Sequence, residues 1–114
     1  MKGIGGIALP IAHGEGKFVA LNKTVLGRIV KQKQVVFQYI DDKGKEAGYP
    51  CNPNGSVKNI AGICNAAGNV LGMMPHPERF IDRLQHPQWT RLKLKEEGDG
   101  MALFRNMVRY AKGL

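Results

Sequence analysis

Two prolines one residue apart constrain this chain more tightly than any other feature of its sequence. Pro75 and Pro77 flank a single histidine in Met74-Pro75-His76-Pro77-Glu78-Arg79. Neither proline can donate a backbone N–H, so the apolar strand expected over Asn69 to Met74 must stop there. Pro77 also pushes His76 out of the helical region and toward an extended backbone. In an extended segment, residues two apart point the same way, which predicts that His76 and Glu78 project from one side, close enough to pair. A carboxylate that holds an imidazole fixes its tautomer and stabilises the imidazolium. Such an imidazole can take a proton from a thiol and later return it to a leaving amine. The same six residues also read as a proline-rich turn with an exposed histidine and an Arg–Glu surface pair. Short motifs recur by accident, but catalytic side chains often sit just past strand ends.

The rest of the chain reads as a small α/β arrangement. Ile7 to Ala12 is a short apolar run expected to form a buried strand, with Pro10 placing it at an edge or an end. A Gly-rich loop, His13-Gly14-Glu15-Gly16-Lys17, follows. Asn22 is placed to cap a helix over residues 23–32, with Val25, Leu26, Ile29 and Val30 on one face and Gly27 weakening it. Val35 to Ile40 is rich in β-formers and ends at the turn signature Asp41-Asp42-Lys43-Gly44. Residues 46–59 read as a long ordered loop. Ile60 to Cys64 and Asn69 to Met74 form a hairpin joined by Asn65-Ala66-Ala67-Gly68. Residues 79–98 are expected to hold only short turns. Asp99 is placed to cap a final helix over residues 100–112, with Met101, Phe104, Val108 and Ala111 along one side and Gly113 at its end. The inventory is four short strands and two helices. The first strand has nothing before it to pair with, so the fold reads as the second half of a larger one, with a sheet edge open to a partner or to self-association.

Composition narrows the classes of function. At 114 residues and 43% hydrophobic residues, the chain has material for one small domain. Its apolar runs are too short to span a bilayer, and Met1-Lys2-Gly3-Ile4-Gly5-Gly6 has no apolar stretch of signal-peptide type. Cys51 and Cys64 are too few for a disulfide scaffold and lack the spacing of a zinc site, which implies reduced thiols in a cytoplasmic protein and no metal. The net charge of +8 raises the possibility of nucleic-acid binding. The basic residues are dispersed, however, and the densest run, Arg91-Leu92-Lys93-Leu94-Lys95, is followed at once by Glu96-Glu97. A solvated surface, or one facing an acidic protein or a phosphorylated substrate, fits better than a nucleic-acid reader or a membrane binder.

Several longer strings carry a resemblance. They are Pro10-Ile11-Ala12-His13-Gly14-Glu15-Gly16, Tyr49-Pro50-Cys51-Asn52-Pro53-Asn54-Gly55-Ser56, Ile60-Ala61-Gly62-Ile63-Cys64-Asn65, and Gly68 through Arg79. The tail Glu97-Gly98-Asp99-Gly100, leading into Phe104-Arg105-Asn106, adds to them. A strand ending in His-Pro-Glu resembles the His–Glu signature of class I glutamine amidotransferases. Over residues 8–112 the chain is similar to the glutaminase subunits of phosphoribosylformylglycinamidine synthases. The resemblance implies that residues 1–114 are the C-terminal half of a flavodoxin-like, three-layer α/β domain. It implies a cysteine that attacks the side-chain amide of glutamine, with His76 as general base and acid and Glu78 as its orienting carboxylate. Ammonia would pass to a synthetase subunit that uses ATP and Mg, helped by a small accessory subunit, in purine biosynthesis. This chain itself would hold no cofactor.

Further roles follow from the same resemblance. The loop with His13 and Gly14 lies where related enzymes contact the α-amino and α-carboxyl groups of glutamine. Asn52, Asn54 and Ser56 offer polar side chains that either dock on the synthetase or bond to one another in a self-contained turn. Arg79 either pairs with an acidic group on the partner or is an ordinary surface arginine. The family's nucleophile sits on a Gly-x-Cys-x-Gly elbow that these 114 residues lack. Gly62-Ile63-Cys64 mimics one, but Ala66-Ala67-Gly68 leads back into a strand rather than into the helix an elbow needs. The expectation is therefore a half-site that needs the N-terminal half of the domain, with a non-catalytic docking module of the synthase as the alternative.

Overall fold

A computed structural model describes residues 3–113, so Met1, Lys2 and Leu114 lie outside the described residues and with them the start of the N-terminal reading. The chain divides into two compact units, Ala12–Met74 and the pair of segments Met1–Ile11 and Pro75–Leu114.

The Ala12–Met74 unit is built on a three-stranded antiparallel sheet. Strand β1 is Val35–Gln38, β2 is Ile60–Cys64 and β3 is Leu71–Met73, in the order β1-β2-β3. The central strand carries the buried residues Ile60, Ala61 and Gly62. A Cβ on Gly62 would lie 3.0 Å from the Met73 Cβ and 3.2 Å from the Phe37 ring, so the close approach of the flanking strands needs glycine there. The β2–β3 turn forms as the sequence predicts. Asn65 Oδ1 accepts the N–H groups of Asn69 (3.0 Å) and Val70 (3.1 Å), and Gly68 takes a positive φ of 72°. Helix α1, Lys23–Lys31, starts where Asn22 Oδ1 accepts the Val25 N–H at 2.9 Å. It ends through Lys33 in the left-handed region (φ 54°), with the Gln34 N–H returning to the Ile29 carbonyl. No residue of α1 is buried.

The other unit contains helix α2, Met101–Gly113, and two 3₁₀ turns, Pro77–Arg79 and Arg83–Gln85. Asp82 and Gln85 form a capping box at the second turn, and an isolated antiparallel bridge joins Asp82 to Glu97. Phe80 and Leu103 are buried there, as are Pro75 and Pro77.

The α/β class expected from the sequence stands, with three corrections to its parts. Ile7 to Ala12 is not a strand. Pro10 has no N–H to give, and the run bonds to separate segments rather than to one: the Ala8 N–H goes to the Asp99 carboxylate and the Pro10 carbonyl receives the His76 N–H. In α2 the expected face shifts. Leu103 is fully buried, while Val108 is 53% exposed and Ala111 faces solvent. The Asp99 carboxylate, expected to cap α2, is bonded to Ala8 instead. Among the described residues, no helix is long and apolar enough to cross a membrane.

Candidate active site

Beyond β3 the chain enters Pro75 and Pro77, both buried. Between them His76 has φ −102° and ψ 91°, the extended conformation that a following proline imposes. Its N–H donates to the Pro10 carbonyl at 2.9 Å. Pro77 then opens the 3₁₀ turn that holds Glu78. The His76 and Glu78 side chains therefore meet across a tight turn, not along a continuous extended segment.

His76 Nδ1 lies 2.7 Å from Glu78 Oε1. A carboxylate can only accept, so this contact selects the tautomer with the proton on Nδ1 and presents Nε2 as the proton-accepting nitrogen. The Glu78 carboxyl is held below the usual carboxylate range. The largest cause is hydrogen bonding from its own backbone N–H, followed by the bond from His76; desolvation opposes these in part, and the charge of Arg79, with that of the His76 ring when protonated, adds to them. Glu78 stays ionised at neutral pH and can stabilise an imidazolium when His76 takes a proton. Arg79 itself is exposed.

The remaining candidates fall in the Ala12–Met74 unit. His13 and Gly14 are exposed, and Gly14 has open space around it. The constrained glycine of that loop is Gly16, where a Cβ would collide with the Met74 side chain. The Asn52–Ser56 loop is bonded to itself. Asn52 (6% exposed) gives its amide to the Ser56 carbonyl and Asn59 Oδ1, both at 2.9 Å, and accepts from the N–H groups of Gly55 and Ser56. Ser56 (3% exposed) donates its hydroxyl to Asn54 Oδ1 at 2.7 Å and accepts the Phe18 N–H at 2.9 Å. These side chains build the loop and are turned inward.

Cys51 and Cys64 are free thiols, each partly buried. Cys64 ends β2, and its N–H bonds to the Gln34 carbonyl while the Asn65 N–H bonds to the Val70 carbonyl. An elbow would aim the N–H of the following residue at the oxyanion; here that N–H closes a hairpin. Among the described residues, no group of three His, Cys, Asp or Glu side chains could hold a metal ion.

One part of the surroundings was missed in the sequence. Gly98 and Gly100 pack against the Pro77–Phe80 turn, with the Gly98 N–H on the Ile81 carbonyl (2.9 Å) and the Gly100 N–H on the Phe80 carbonyl (2.8 Å). The Gly-x-Gly spacing is the available signal, but in the sequence it reads as a helix lead and as part of the family resemblance, not as packing against the proline turn.

The fold and the His–Glu turn fit a glutamine amidotransferase, and the chain belongs to that class: the family model of the CobB/CobQ-like glutamine amidotransferase domain matches residues 1–111. Similar relatives include proteins named phosphoribosylformylglycinamidine synthase subunit PurQ. The Dehalococcoides mccartyi protein is 42% identical over 112 residues, covering 97% of this chain and 42% of the relative. That of Archaeoglobus fulgidus is 45% identical over 95% of this chain and 39% of its own length. That of Thermosynechococcus vestitus is 49% identical over 90% of this chain and 40% of its own length. The chain thus spans about two fifths of the length of these curated relatives.

Proposed function

We propose that this chain is the His–Glu part of the glutaminase component of a phosphoribosylformylglycinamidine synthase, the C-terminal half of a flavodoxin-like, three-layer amidotransferase domain. The observation that carries the reading is the 2.7 Å His76–Glu78 contact in a chain of this family. The nucleophilic cysteine lies in the part of the domain outside these residues. Two features support that: no Gly-x-Cys-x-Gly string occurs in the chain, and the relatives are more than twice as long as the part it covers.

In this reading His76 Nε2 takes the proton of the cysteine thiol, and the thiolate attacks the side-chain amide carbon of glutamine. The tetrahedral intermediate collapses as the imidazolium returns the proton to the leaving nitrogen, releasing ammonia and a glutamyl thioester. His76 next removes a proton from water, hydroxide adds to the thioester carbon, and the proton goes to the departing sulfur. Glutamate and the free thiol are restored. Glu78 stays ionised throughout and offsets the charge on the ring. The ammonia serves a separate ATP- and Mg-dependent synthetase subunit, with a small accessory subunit, in the cytoplasm. His13 and Gly14 contact the α-groups of glutamine, and Arg79 is a contact for the synthetase.

An electrophilic glutamine analogue tests the assignment when this chain is mixed with the remaining part of a PurQ relative. The adduct is expected on a cysteine of the added part, protected by glutamine. A glutamine-protected adduct on Cys64 or Cys51 would overturn the half-site reading.

A further inference from the structure

The turn that carries His76 and Glu78 is held from two sides by segments far apart in sequence. On one side, the Pro10 carbonyl accepts the His76 N–H at 2.9 Å. On the other, Gly98 and Gly100 donate to the carbonyls of Ile81 and Phe80. A Cβ on Gly98 would collide with the Phe80 backbone, and one on Gly100 would collide with the Pro77 carbonyl oxygen, so both contacts need residues without side chains. Asp99, between those glycines, accepts the Ala8 N–H on Oδ2 at 2.9 Å. Its side chain is the tie between the two supports. Ala8 is two residues from Pro10, so the bond that fixes Ala8 also restricts where the Pro10 carbonyl, and with it the His76 backbone, can stand relative to Pro77–Phe80.

We infer that Asp99 is a positioning residue for the His76–Glu78 pair, acting through Ala8 and Pro10 on the His76 backbone. The inference rests on the reading of that pair as the catalytic one, but the geometry it asserts belongs to this chain alone. His76 is set by Pro10, and Glu78 by the turn over Gly98 and Gly100. A contact of 2.7 Å between them survives only if the two supports keep their register. A simpler role for Asp99 is to place a negative charge near the start of α2, where it favours the helix dipole. The two roles differ in what replaces the carboxylate: asparagine keeps the acceptor and loses the charge, whereas alanine loses both.

The test is NMR on the full chain, following the Glu78 carboxyl carbon and the His76 ring nitrogens across pH, with the β1–β3 amides as the control for folding. Asp99→Ala is expected to raise the Glu78 midpoint toward the value of a free glutamate, about 4.3, and to shift the His76 ring signals. Asp99→Asn is expected to leave both near wild type. Ala8→Pro removes the donor while leaving Asp99 in place; it should reproduce Asp99→Ala, and it carries the test if the alanine variant does not fold. Unchanged Glu78 and His76 signals in Asp99→Ala, or equal shifts in the alanine and asparagine variants, would overturn the inference. No substrate or turnover enters the measurement, so absence of glutaminase activity on reconstitution would be a separate result, bearing on the proposed function alone.

Discussion

Glu78 is the residue at which structure and proton chemistry meet most directly. Its carboxyl is held below the usual range by hydrogen bonds from its own N–H and from His76. A group whose pKa is depressed on folding contributes stability that is fully present above its unfolded value, about 4.3 for glutamate, and that is lost as the pH falls through the lower folded value. The pair should therefore be intact from neutral pH down into the mildly acidic range and open only below it. A carboxyl-carbon titration should place the Glu78 midpoint under that of an unstructured peptide, and His76→Ala should raise it. In a reconstituted glutaminase, Glu78→Gln should lower turnover by roughly 10²–10⁴-fold, because an amide can donate to Nδ1 and favour the wrong tautomer. Steady-state glutamate release measures this. The extended backbone of His76 was legible in the sequence because Pro77 restricts it locally, whereas the contact with Glu78 closes across a 3₁₀ turn that the two-residue alternation did not predict. Asp99 was not legible in the same way. Its partner is 91 residues away, and an aspartate before a helix has an adequate local explanation in capping.

Among the elements, the loop over residues 46–59 shows how much order a strand-free segment can hold. Asn52 satisfies four hydrogen bonds inside it while 6% exposed. Asn52→Ala would leave buried backbone groups without partners and should cost roughly 1–3 kcal/mol, read as a lower denaturant midpoint at unchanged slope. The sequence held two readings of this loop open, and the bonding pattern is that of the self-contained turn. In α2, Leu103 has no exposed surface, so Leu103→Ala should cost about 2–5 kcal/mol by the same measurement. The hairpin, α1 and the 41–44 turn were readable because their signals are local: Asn65 and Gly68, the Asn22 cap, and Asp41 with Gly44. The Ile7 to Ala12 run failed because apolar character signals burial or pairing without naming the partner. Here the partners are the Asp99 side chain and one N–H of the proline turn, which no periodicity encodes. The α2 face differs from the regular stripe because periodicity does not name the packing partner: α2 meets the Pro77–Arg79 turn, and Leu103, outside that stripe, is the fully buried residue.

At the scale of the whole molecule, burial is sparse. Ile60 and Leu103 are the fully buried large side chains among the described residues, while Leu21 (89%), Val19 (68%) and Val70 (61%) stand largely exposed. A chain that spans about two fifths of its relatives and exposes this much apolar surface fits the proposal that it is completed by further polypeptide. The most direct measurement of the central claim is glutamate release after this chain is combined with the part of the Archaeoglobus fulgidus relative that it does not cover. Activity is predicted to appear in the mixture, to be lost with His76→Ala, and to survive replacement of both Cys51 and Cys64 by serine. Association of the two parts without glutamate release, or release that persists with His76→Ala, would contradict it.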